Sequence, residues 1–302
     1  MKRLVGTIFA ALMCVPLLAG CASARSGETP PGGEPPHNPA APPVAGPGPG
    51  GVSPAIGLVN LWRVSGAEGE AADTWLRLDA QEFQLWRDCG MITGSWKASS
   101  GLFLAAAWGA MGDCATGSLP FVPWLEDVTG YAATAGGFKL SDSAGRVLAS
   151  LTGDGAPQPI PAAAEFYTKP PRITPELQKA LRTPSKLAAQ LTPATVQTLL
   201  GTWVPVAYAV KTNPHVTFTD NGRWTGSDGC NGAQGRWVVG RDGELLTTSG
   251  PSTLIGCEGA PVPAWVAQAT AAGFDRAGSD AARLLLFDRD GNEIGRLKRG
   301  SF

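Results

Sequence analysis

The sequence predicts a β-rich α+β protein in which two tandem strand-rich units follow an export signal and a Pro/Gly-rich tether, and three observations carry that expectation. Apolar residues alternate in HVTFTDNGRW (215–224) and GRWVVG (235–240), with Asn221-Gly222 as a hairpin turn signal. Landmarks recur: Trp62 stands 27 positions before Cys89, and Trp203 stands 27 positions before Cys230. Before residue 55, prolines and glycines crowd out the large apolar residues that a core needs.

From the start, Lys2 and Arg3 precede an apolar run over 4–18, then Ala19, Gly20 and Cys21. This is the pattern of a signal peptide, 1–20; the run is short for a bilayer span, which needs about 20 residues. LAGC (18–21) resembles the bacterial lipobox, which implies lipidation of Cys21 and a mature chain that begins there. Each buried acyl methylene adds about 0.8 kcal/mol of membrane affinity, so two or three chains anchor stably. Residues 21–54 read as a disordered tether reaching on the order of 100 Å at most. GPGPGG within it is no dinucleotide loop, because prolines stand where a helix would start and no strand precedes it. The formal net charge of −1 argues against a polyanionic partner, hence against nucleic acid.

The repeat is evidence in itself. Gly94 and Trp96 follow Cys89 at the offsets at which Gly235 and Trp237 follow Cys230. Cys114 comes 25 positions after Cys89, Cys257 comes 27 after Cys230, and Trp124 and Trp265 follow in similar settings. KLSDSAGRVLASL (139–151) matches LLFDRDGNEIGRL (285–297) without gaps, placing Asp142 with Asp288, Gly145 with Gly291 and Leu151 with Leu297. The domains expected are 55–152 and 192–302, joined by a linker, 153–191. Apolar spacing predicts a brief helix near Trp124 and another near Pro263. Thr-Pro pairs at 174–175 and 192–193 predict short helices over 174–181 and 192–200.

The second unit resembles a META domain, the family that includes small heat-inducible bacterial lipoproteins of the HslJ type. The residues that carry the resemblance are Trp203 in GTW, VTFTDNGRWTG (216–226), the Gly229-Cys230-Asn231 triplet with Gly235 after it, STLIGC ending at Cys257, and LLLFDRDGNEIGRL (284–297). The first unit has RDCGMITG (87–94) in place of the triplet and resembles a degenerate copy. The resemblance implies a curved antiparallel sheet packed on one helix, an envelope or secreted location, a cysteine pair and no established enzymatic activity.

Cys230 admits three readings. As a nucleophile it needs a base, and His215 is the only histidine in either unit; a serine version fails at Ser227, where Thr225 occupies the glycine position of a nucleophile elbow. Metal binding would need close cysteine or histidine pairs, and no C-x-x-C or H-x-x-x-H occurs. Disulfide formation suits an exported chain, with Cys89–Cys114 and Cys230–Cys257 the simplest of three connectivities, each stabilising by roughly 3 kcal/mol. Gly226, Gly229 and Gly232 are then expected at positive φ in the turn beside Cys230, with Asn231 bonding its own backbone. Alternatively, Asp228 and Asn231 form an exposed recognition loop. Most of the ten tryptophans are assigned to core packing, with some left to line a groove of the kind that suits acyl chains or glycans, and DRDGNE (288–293) is assigned to a plain hairpin rather than a calcium loop.

The function expected is that of a non-catalytic, lipid-anchored module on the extracytoplasmic face of the cell membrane. It would use no cofactor or metal, and its partner would be an envelope protein or cell-wall component, with a link to envelope stress. The rivals are a carrier of lipid or another apolar small molecule, which requires a continuous cavity, and a hydrolase built around Ser227 or His215.

Overall fold

The computed structural model describes residues 55–80, 82–118, 120–161, 163–208, 212–250, 252–253, 255–256, 258–275 and 282–300. The signal, Cys21, the 21–54 tether and Cys257 lie outside the described residues. Contacts divide the chain into residues 1–43 and 44–302, and everything that follows lies within residues 44–302.

The protein is β-rich, with two curved antiparallel sheets and few helices. The first sheet comprises β1 (Asn60–Ser65), β2 (Trp75–Leu78), β3 (Glu82–Arg87), β4 (Gly90–Ser99) and β5 (Leu102–Gly112). It continues, after the short helix α1 (Pro123–Asp127), with β6 (Gly130–Thr134), β7 (Gly137–Ser141) and β8 (Val147–Thr152). Each strand pairs with the next, and β8 pairs back onto β1 through Arg63–Thr152, Val64–Leu151 and Ser65–Ser150, so this sheet closes into a barrel. Closure removes the edges that an open curved sheet would leave. Alternation fills the interior: Trp62, Leu76, Leu78, Phe83, Leu85, Trp96 and Phe103 point inward, and α1 adds Trp124 and Leu125.

The connecting segment carries α2 (Pro175–Leu181), whose Thr174 hydroxyl accepts from the Leu177 N–H as expected of an N-cap; Leu177 and Leu181 join the first core. The helix expected over 192–200 is shorter. Thr192–Pro193 form β9 against β15 (Ala271–Phe274), and α3 (Val196–Leu199) starts from a Thr195/Thr198 capping box. Two effects decide this start: the residue before a proline is biased toward extended backbone, and the reciprocal threonine cap satisfies two orphan groups at once.

The second sheet is built from β10 (Gly201–Pro205), β11 (His215–Phe218), β12 (Arg223–Ser227), β13 (Gly232–Val239) and β14 (Leu245–Thr247). Helix α4 (Val262–Gln268) follows, then β15, β16 (Leu284–Phe287) and β17 (Glu293–Arg299). Its order is β14-β13-β12-β11-β10-β17-β16-β15-β9. A bridge between Glu244 and Ala271 and the bond from Leu245 N to Thr270 O bring the flank of β14 to β15. Both sheets therefore follow the same circuit: five strands, a short helix, three strands, and a return of the last strand onto the first.

Matched residues play matched parts. The Trp62 and Trp203 indoles donate to the carbonyls of Leu58 and Leu199, at 2.7 and 2.8 Å. Asp142 and Asp288 each accept backbone N–H bonds from residues two and four positions on, with Gly145 and Gly291 at φ 81° and 87° closing the two turns.

The sheets pack on each other through polar as well as apolar groups. Arg236 donates to Ala105 O at 3.3 Å, Arg223 pairs with Glu126 at 2.7 Å, and Lys97 Nζ donates to Ala267 O at 2.5 Å near the end of α4. Burial, helped by the positive charge of Arg289, pushes the Lys97 ammonium down to about 8. Burial also pushes the Tyr131 phenol up to about 12. The unfolded chain thus holds more protons than the native one as Lys97 titrates, and stability should rise with pH from about 8 toward the ordinary lysine value near 10.5. Above pH ~10 the sign reverses, because native Tyr131 keeps the proton that the unfolded tyrosine loses. Urea midpoints recorded between pH 7.5 and 9.5 should climb in the parent and stay level in Lys97→Met. A flat parent curve, or an equal climb in the variant, would refute the assignment.

Candidate functional site

The turn around Cys230 is built as a closure. Cys89 and Cys114 form a disulfide with Cα atoms 4.9 Å apart, and a backbone bond from Cys114 N to Cys89 O runs beside it. Cys230 is disulfide-bonded as well; the pairing expected with Cys257 involves a residue outside the described set. Asp228 accepts from Cys230 N, Asn231 N and Asn231 Nδ2 at 2.8, 2.6 and 2.9 Å. Its partial burial pushes the carboxyl up, but those bonds outweigh it and hold the group below the usual carboxylate range.

Asn231 is 8 % exposed, and its side chain also donates to Ile255 O and accepts from Thr253 Oγ1 and Ile255 N. The exposed recognition loop considered for Asp228 and Asn231 thus meets a different geometry. The Asp228 carboxylate holds its own turn, and the Asn231 side chain latches Thr253 and Ile255, where the expectation was that Asn231 would bond its own backbone. Gly90 stands at the matching place in the first sheet, where β5 runs directly alongside, so that a Cβ there would lie 2.3 Å from Met111 O. This close approach leaves no room for a side chain where the second sheet carries Asn231.

Of the three glycines expected at positive φ, only Gly229 is, at 111°. Gly226 is required for another reason, since a Cβ would lie 2.5 Å from His215 O across the ladder, and Gly232 meets nothing within 4 Å. Gly235 has Thr248 O 1.8 Å from where a Cβ would stand, and Trp203 is fully buried. His215 and Ser227 face each other in the β11–β12 register. Yet Ser227 Oγ accepts from Gly229 N and His215 Nδ1 donates to Asn213 O, both at 2.9 Å, so each is engaged with its own turn.

A cleft of about 270 Å³ lies elsewhere, on the outside of the barrel. Leu61, Trp75, Trp86 and Met91 form an apolar cluster distinct from the barrel interior, and the strap following β8 covers it with Ile160, Ala163 and Tyr167. Arg77, 4 % exposed, fastens the strap: it donates to Lys169 O at 3.0 Å and to Gln84 Oε1 at 2.9 Å, and its guanidinium sits over the Phe166 and Tyr167 rings. At the strap's edge the cleft opens among Arg63, Asp73, Trp75, Trp86, Arg87 and Asp88, with Pro157, Gln158 and Ile160 opposite. Arg63 lies over the Trp75 ring at 4.5 Å and pairs with Asp154 at 3.2 Å. Arg87 is held by Glu70 through its Nε and one terminal nitrogen.

Sequence reasoning assigned most of the tryptophans to core packing and left some to line a groove, but it did not place that groove at Trp75 and Trp86. The available signal was that WLRL (75–78) and FQLW (83–86) put tryptophans on the face opposite Leu76, Leu78, Phe83 and Leu85, so that both faces carry large apolar residues, and β2 is buried throughout. A strand buried on both faces must have a cover. Among the described residues no group of three or more histidine, cysteine or acidic side chains has the geometry to hold a metal ion, and no helix is long and apolar enough to cross a membrane. Compared with family models, curated proteins and solved structures, the chain matches none of them.

Proposed function

We propose that this chain is an extracytoplasmic lipoprotein, anchored through acylated Cys21, whose two sheets are tandem META-like domains that act as a non-catalytic binding module for an envelope component. The single observation that carries the reading is the shared circuit of the two sheets, with Trp62 and Trp203, Gly94 and Gly235, and the cysteines Cys89 and Cys230 at matching places. A duplicated, disulfide-closed unit whose polar turns are consumed in holding their own shape suits a rigid display scaffold. The carrier alternative draws no support from the interior of either sheet, where Trp62, Trp96, Trp203 and Trp224 are each less than 2 % exposed and pack among phenylalanine and leucine.

The test is non-reducing peptide mapping by mass spectrometry on the chain purified from membranes. The expected result is acylated Cys21, Cys89 linked to Cys114, and Cys230 linked to Cys257. An unmodified Cys21 overturns the anchor, and a linkage between Cys89 and Cys230 or Cys257 overturns the picture of two separately closed domains.

A further inference from the structure

The cleft beside the strap holds four polar groups with capacity left over. Asp73 and Asp88 are exposed and make no hydrogen bond or ion pair among the described residues. Arg87 spends two of its three nitrogens on Glu70 and keeps the third. Trp86 is 3 % exposed, and its indole N–H is buried with no acceptor. A buried donor left unpaired costs about 1–3 kcal/mol, which an acceptor that displaces the edge of the strap would recover. The side chains that line the cleft balance in charge, with two guanidiniums and two carboxylates. A strongly ionic ligand therefore gains little net attraction there.

A ligand that satisfies these groups must donate to two carboxylates and accept from a guanidinium and an indole, while laying an apolar surface against Trp75, Trp86 and Ile160. Hydroxyl groups are both donors and acceptors, and a pyranose ring combines them with an apolar C–H face. We propose that this cleft is a saccharide subsite, taking one ring of a glycan with its hydroxyls between Asp73, Asp88, Arg87 and the Trp86 N–H. The site rests on the reading of the chain as a binding module, and it specifies what that module binds. The second sheet has no counterpart: by strand register His215 and Ser227 occupy the places of Trp75 and Trp86. The sugar site therefore belongs to the first unit, which departs furthest from the family pattern.

The test uses the full chain in a sugar-free detergent, titrated with cellotriose, chitotriose and maltotriose by calorimetry and tryptophan fluorescence, with spermidine as the cationic rival. Saturable binding of at least one trisaccharide is expected, weakened at least tenfold in Asp73→Ala/Asp88→Ala, two exposed positions whose change should leave the urea midpoint in place. Trp86→Phe, which keeps the ring stack and removes the N–H, should weaken it too. Silence with all three sugars, binding of spermidine in their place, or an unchanged affinity in the double variant would each overturn the proposal. A silent titration with Cys21 acylated and both disulfides separate would reject the ligand class alone; sugar binding by a chain lacking the acyl group would reject the anchor alone.

Discussion

Replacing Glu70 by alanine is expected to lower the free energy of unfolding by about 3–5 kcal/mol, the range for removing one partner from a buried ion pair. Its side chain is 2 % exposed, yet it comes from the loop between β1 and β2 and gathers groups from two other elements as well as from its own loop. Arg87 at the end of β3 donates to both carboxylate oxygens, the Trp124 indole of α1 donates at 2.6 Å, and the Thr74 hydroxyl donates at 3.2 Å. Taking the carboxylate away strands the buried Trp124 indole N–H and leaves the half-buried Arg87 guanidinium without its partner. Glu70→Gln keeps an acceptor of the same shape and should cost less, because the neutral oxygen still receives the indole. Urea unfolding of the parent and the two variants checks the order. An alanine variant within 1 kcal/mol of the parent would mean that solvent reaches the site and that the pair is of the weak surface kind.

Gly235→Ala is expected to be at least as damaging, either costing more than about 3 kcal/mol or preventing folding, as a new atom forced into close-packed backbone does. The added methyl would stand 1.8 Å from Thr248 O and 2.7 Å from Trp224 Nε1, which donates to that same oxygen at 2.9 Å. Backbone stands in the way and has no rotamer to retreat into. The ladder must part, and the buried Trp224 indole loses its acceptor. Gly94 repeats the situation in the first sheet, with Ala106 O and the Phe83 ring both 2.3 Å from the added atom. Gly232→Ala, in the same strand as Gly235 but with open space around it, is the control, expected within about 0.5 kcal/mol of the parent. Soluble yield and urea midpoints of the three alanine variants decide the matter. Equal behaviour of the Gly235 and Gly232 variants would show that the close approach relaxes at little cost.

These glycines illustrate how much of the molecule the linear order already contains. Gly94 and Gly235 were legible as members of a repeat because they keep a constant distance from Cys89 and Cys230, and the structure supplies the reason in a strand crossing too close for a side chain. The helix beginning at Thr174 was legible for a similar reason, since an N-cap acts within four residues of chain. The helix read over 192–200 failed because its first two residues answer to a partner some eighty positions away, β15, and local capping then favoured Thr195.

At the candidate sites, the cysteines and the Asp228–Asn231 turn stood out in the sequence, but their outcome did not. Whether Asn231 faces solvent or latches Thr253 and Ile255 depends on where a distant segment passes. The sequence by itself determined the strand-rich class, the repeat and the turn chemistry, because alternation, fixed spacing and capping are properties of neighbours along the chain. Only the tertiary structure decided that the first sheet closes on itself, that Trp75 and Trp86 lie outside it beneath the strap, and that Asp73, Asp88 and Arg87 meet at one cleft. Period-two alternation sends side chains to two faces, and only the packing of distant segments determines which face becomes the interior and what covers the other.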